Sequence, residues 1–130
     1  MTVNEIYQSA LRLISECAAE GNNDDYEERA PYIVATFCSD VRGTDAAVRK
    51  LIGADEAEDF SPVYIPLESD FPLLDTFAGC AALYLSAMLV IDYDAELYDR
   101  LFAQYCDTIS TVCSKVTGVC ENTVNKYFVD

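Results

Sequence analysis

Residues 76–91, TFAGCAALYLSAMLVI, form an uncharged run of 16 residues. A helix that spans a bilayer needs about 20 apolar residues, usually with basic flanks. This run is flanked by Asp75 and Asp92 and contains Thr76, Gly79 and Ser86. It therefore predicts a helix buried inside protein. A helix that is apolar nearly all round needs neighbours on most sides, so the rest of the chain has to supply amphipathic partners. With 130 residues, 52% of them hydrophobic, the chain suits one domain over residues 1–130 with a single core.

The partners are legible as three- and four-residue spacings. Thr2 and Glu5 form a T-x-x-E capping box. Ile6, Tyr7, Ala10, Leu13, Ile14, Cys17 and Ala18 then follow on one helical face, and Gly21 is a stop signal. After the turn Asn22-Asn23-Asp24-Asp25, a second helix is expected, capped by Asp24 or Asp25. Its stripe is Tyr26, Ala30, Ile33, Val34, Phe37, Cys38 and Val41. Pro31 inside it predicts a kink or a restart, and Arg42-Gly43 an end. Thr44 or Asp45 is expected to cap a short third helix through Ala46, Val48, Leu51 and Ile52, closed by Gly53.

Residues 53–72 read as a connection, with acids at Asp55, Glu56, Glu58 and Asp59 and prolines at 62, 66 and 72. Val63-Tyr64-Ile65 is a short extended segment. The apolar helix is expected from about Pro72, a residue suited to a first turn, to Ile91. Small residues at Ala78, Gly79, Ala81, Ala82 and Ala87 should allow close neighbours, with Gly79 packed. Asp94 then caps a long last helix through Leu97, Tyr98, Leu101, Phe102, Tyr105, Cys106, Ile109, Val112, Cys113 and Val116, extending to about Gly118. Residues 119–130 are one more turn or a docking tail. The fold class is all-α, with four to five helices centred on residues 73–91 and 94–117.

Composition narrows the chemistry. There is no His and no Trp, so no imidazole base or ligand is present. Twenty-three carboxylates against 8 Lys plus Arg give a net charge of −15. Binding DNA or RNA depends on cations that neutralise phosphates, and an anionic membrane repels an acidic surface. The acidity suits solubility, repulsion of DNA or a basic partner.

The six cysteines (17, 38, 80, 106, 113 and 120) include no C-x-x-C. The polar start MTVNEIYQSA has no basic stretch of the kind that opens a secretory leader. Both points predict reduced thiols of the core in a cytosol. Cys106, Cys113 and Cys120 recur every seven residues, about 10.5 Å along a helix. That is too far apart to share one metal ion, and it predicts a packed seam. Asp92, Asp94, Glu96 and Asp99 do not follow a calcium loop, because Leu97 and Ala103 stand where the glycine and the closing glutamate belong. No nucleophile elbow or phosphate-binding glycine loop is present. The expectation is no enzyme, no cofactor and no metal.

Two stretches carry a resemblance. TVNEIYQSALRLISE followed by DYEERAPYIV is similar to the opening of small phage and prophage proteins encoded beside head genes, with a proline inside an "ERA-P" helix. LESDFPLLDTFAGCAALYLSAMLVIDYDAELYDRLFAQY resembles their later pattern of an acidic lead-in, an Ala/Gly/Leu-rich helix, an acidic turn and a helix with Phe and Tyr. Together they cover about half the chain. The family's Pro-Tyr-Gly is reduced here to Gly79. The resemblance implies a head–tail connector or adaptor of a tailed phage or prophage, in the host cytoplasm or the virion. Its partners would be portal, head-completion or tail proteins. It would form a homo-oligomeric ring in the particle and bind neither specific nucleic acid nor membrane. The charge of −15 makes such a ring self-repulsive, so the isolated chain is expected to be monomeric at low salt and to associate when charge is screened or a portal template is present.

The alternative is an acidic DNA mimic or inhibitor that binds a basic protein surface. Of the nine tyrosines, Tyr64 and Tyr127 lie outside the strong helical stripes. With Lys126, Phe128 and Val129 they are the expected partner-binding residues, because Tyr combines an apolar ring with a polar tip.

Overall fold

The computed structural model describes the backbone of residues 1–14 and 23–128, and the side chains of residues 1–14 and 24–115. Within them the chain is all-α. The elements are α1 (Val3–Leu13), α2 (Asn23–Ile52), a 3-10 turn (Asp75–Phe77), α3 (Ala78–Val90) and α4 (Ala95–Phe128). No described helix is long and apolar enough to cross a membrane.

The apolar helix α3 is the centre and touches α1, α2 and α4. Cys80, Ala81, Ala82, Leu85, Ser86, Ala87, Leu89 and Val90 are buried along it. The buried Ser86 Oγ donates to the Leu83 carbonyl at 2.9 Å, which removes the penalty for an unpartnered polar group. Around α3 the core takes Val3, Ile6, Tyr7 and Ala10 from α1, Tyr26, Val34, Phe37 and Cys38 from α2, and Leu101 from α4.

Helix ends carry free N–H and C=O groups, and here the loops and distant side chains satisfy them. At α1, Glu5 N–H donates to Thr2 Oγ1 (3.3 Å), as the capping box predicts. Val3 N–H and Asn4 N–H donate to the carbonyls of Ser69 (2.9 Å) and Leu67 (2.7 Å), and Thr2 pairs with Asp70 as an isolated antiparallel bridge. At the end of α3, Arg29 of α2 donates to the carbonyls of Met88 (2.9 Å) and Leu89 (3.3 Å). A cation there also complements the helix dipole. Asp94 caps α4, accepting from Leu97 N–H at 3.0 Å.

Several expectations are corrected. The second and third helices are one 30-residue helix, α2, which passes through Pro31 and Gly43. Gly43 keeps negative φ, and among the described glycines only Gly53 turns positive, at 72°, closing α2 as expected. Asp45 is no cap. It lies inside α2, 1% exposed, with partners in the following loop. Asp24 and Asp25 fall in the first turn of α2. The apolar helix begins later than Pro72, because the backbone before it is held extended. Phe71 N–H donates to the Met1 carbonyl (2.8 Å) and Leu74 N–H to Asp45 (2.8 Å).

Residues 63–65 form no strand. They are an irregular segment tied down where Ile65 N–H donates to the Pro31 carbonyl, 3.2 Å. α1 closes at Leu13, and Cys17, Ala18 and Gly21 lie outside the described residues. α4 does not stop at Gly118 but continues to Phe128. A glycine weakens a helix interior by about 1 kcal/mol without ending it.

Gly79 is also corrected. It is exposed, and a Cβ built on it meets nothing within 4 Å. Removing the backbone freedom of a helical glycine then has no steric penalty to oppose it. Gly79→Ala should stabilise the protein by up to about 1 kcal/mol, read as a higher melting temperature. An unchanged or lower value would show that this face is covered.

Candidate docking surfaces

Among the described residues, no three of His, Cys, Asp and Glu stand together as a metal site. Cys38, Cys80, Cys106 and Cys113 are free thiols. Burial, with the Asp45 carboxylate as a smaller cause, pushes Cys38 up to about 12, and burial raises Cys80. Thiolate, not thiol, is the nucleophile, so neither is reactive at neutral pH. Cys106 is exposed, which corrects its place in the expected seam. The buried line of α4 runs instead through Leu97, Leu101, Tyr105, Ile109 and Val112. A maleimide reagent on native protein should therefore modify Cys106 quickly and Cys38 and Cys80 only after unfolding, as peptide mapping would read. Rapid native labelling of Cys38 would contradict the packing of α2 on α3.

Three surfaces expose large apolar side chains. The first is aromatic. Tyr64 packs its ring edge-on to Tyr32, centroids 5.0 Å apart, with both rings exposed beside Val63, which is 64% exposed. It continues into a shallow cavity of about 420 Å³ between α2 and α3, lined by Ile33, Tyr84, Met88 and Ile91. Tyr64 is thus on the surface, where sequence reasoning put it. Tyr32 of α2, which is not among the expected stripe residues, is its partner.

The second is a groove of about 640 Å³ where the end of α2, the 3-10 turn and α4 meet. Its apolar lining includes Leu51, Ile52, Leu73 and Val112. Ile52 is 64% exposed. Arg49, Asp75 and Lys115 stand on its rim. Arg49 is paired through its Nε with Asp45, 2.8 Å, which leaves Lys115 as the rim's cation without an ion pair among the described residues, with Asp75 on the same rim.

The third is the tip between α3 and α4, at the far end of α3 from the groove. Ile91 and Tyr93 are 40% and 52% exposed among Asp92, Asp94, Glu96 and Asp99. The tip is braced from below. Tyr93 Oη donates to Asp25 Oδ2 at 2.8 Å, and Asp25 also accepts from Arg29 at 3.2 Å. The Tyr93 hydrogen bond, then Arg29, hold the Asp25 carboxyl below its ordinary range, and the same bond raises Tyr93. A tyrosine and an isoleucine framing an acid-rich turn were the available signal for this surface. Leu51 and Ile52 gave none, because they continue a stripe that is buried elsewhere.

The structure does not bring Tyr64 together with the other expected partner-binding residues in any described contact. Lys126, Tyr127 and Phe128 lie on the last turns of α4, with side chains outside the described residues, and Val129 lies outside them altogether. No family model, no curated protein and no solved structure matches the chain.

Proposed function

We propose that this chain is a structural subunit of a tailed phage or prophage, of the head–tail connector kind, which works by self-association and by contacts with portal, head-completion or tail proteins. The observation that carries the reading is the disproportion of its helices. α4 has 34 residues and α3, its partner, has 13. At 1.5 Å per residue these are about 51 Å and 20 Å, so α4 outruns the helix it pairs with. The sequence pattern of the outrunning part keeps apolar residues at 116, 119, 120, 124 and 127, the spacing of one helical face. A helix face that continues past its own domain suits a partner subunit.

The acidity supports the same reading. A channel that passes DNA works best without cations that hold phosphates, and a charge of −15 per subunit repels them. The test is a prophage from which this gene alone is deleted. Heads filled with DNA and free tails should accumulate unjoined, and the purified chain should not retard duplex DNA at about 0.15 M salt. Normal joined particles from the deletion strain would end the proposal.

A further inference from the structure

We infer that two of the exposed surfaces are complementary to each other, so that the acidic tip of one copy docks in the apolar groove of the next. This deepens the reading above by naming the surfaces of self-association. The groove offers Leu51, Ile52, Leu73 and Val112 with Arg49 and Lys115 at its rim. The tip offers Ile91 and Tyr93, 40% and 52% exposed, set among Asp92, Glu96 and Asp99. The pairing is apolar against apolar with Lys115 facing carboxylates, in a protein with only 8 cations against 23 acids. Two of those 8 stand at the groove. Complementary charge of this kind fixes register and suppresses other pairings.

Tip and groove lie at opposite ends of α3, about 20 Å apart for its 13 residues. A contact between different patches either repeats head-to-tail, into an open chain or a ring, or forms twice across a two-fold axis, each tip in the other copy's groove. Pairing of like patches is disfavoured, because acidic tips facing each other repel. Area supports the same placement. A stable interface buries about 800 Å² on each partner, more than one groove of this size supplies. α4 continues from Lys115, at the rim, to Phe128, about 20 Å further, and gives the docked copy a helix to lie along.

The test uses the full chain and two variants at exposed positions. Ile52→Glu with Lys115→Glu spoils the groove and spares the tip. Ile91→Lys with Asp92→Lys spoils the tip and spares the groove. Far-UV circular dichroism checks that each variant folds, and sedimentation velocity at about 0.15 M salt reads the mass. The native chain should form dimers or larger species as its concentration rises into the high micromolar range. Each variant alone should stay monomeric. An equimolar mixture should stop at a heterodimer, because one intact tip meets one intact groove and neither end can extend. A native chain that stays monomeric overturns the inference, as does a variant that associates like the native chain or a mixture that forms no heterodimer. If association follows this pattern while the deletion strain still joins heads to tails, the phage reading alone fails.

Discussion

Asp45→Ala should destabilise the protein by about 3–5 kcal/mol, the range for removing one partner of a buried ion pair. The carboxylate is 1% exposed and its partner Arg49 is 16% exposed. One oxygen accepts from Arg49 Nε at 2.8 Å and the other from Leu74 N–H at 2.8 Å. Arg49 also donates to the carbonyls of Asp55 (2.9 Å) and Pro72 (3.3 Å). One ion pair inside α2 thus holds both ends of the irregular segment between α2 and the 3-10 turn. Alanine would leave a largely buried guanidinium without its acid and a backbone N–H without its acceptor, and both are unfavourable in a low dielectric. Asp45→Asn keeps an oxygen for Leu74 and should fall between the two. Urea unfolding followed by circular dichroism measures both, and a loss below about 1 kcal/mol for the alanine variant would mean that the pair behaves as a surface pair. Leu73 and Leu74 line the groove, so the alanine variant should also lose self-association before it loses its helices.

Asp45 also shows where the sequence is hard to read. An acid after Arg42-Gly43-Thr44 has the local chemistry of a helix cap, and Arg49 four residues on suits an exposed pair on a helix face as well as a buried one. The distinction lies in Leu74 and Pro72, nearly thirty residues on, which no local pattern connects to it. The same holds for α3. Its existence and burial follow from the uncharged run alone, but its start at Ala78 depends on Met1 and Asp45 claiming the N–H groups of Phe71 and Leu74.

Periodicity succeeded where one face packs on the core, as for Leu97, Leu101, Tyr105, Ile109 and Val112 among the described side chains of α4. It failed at Ile52 and Cys106, because a stripe read from spacing does not reveal where its cover ends. Of the candidate surfaces, only Tyr64 was legible in advance. The groove is made by three segments distant in sequence, and the tip was read simply as a cap followed by solvated acids.

Phe37→Ala should be the other severe substitution, with a loss of about 3–5 kcal/mol, as for a large buried ring truncated in a core. Phe37 is 1% exposed and stands where three helices meet. Its ring lies 5.8 Å from that of Tyr84 on α3 and 6.2 Å from that of Tyr105 on α4, and the two tyrosines are 5.2 Å apart. Tilted and edge-on pairs at such distances add to the area they bury. Removing the central ring leaves a void against both tyrosines, and neither helix can close it alone without breaking contacts to the other. Phe37→Leu keeps most of the volume and should lose no more than about 1.5 kcal/mol.

Tyr105 supplies an independent readout. Burial, then Tyr84, push its hydroxyl up to about 12. A folded value above the unfolded one means that the contribution to stability is complete below the ordinary tyrosine range and is lost as pH rises through about 12. Opening the cluster to water lowers that folded value. Alkaline unfolding of Phe37→Ala, followed by tyrosinate absorbance, should therefore begin at lower pH than in the native chain. Equal losses for Ala and Leu, or an unchanged alkaline transition in Phe37→Ala, would show that these rings do not tie α2, α3 and α4 together.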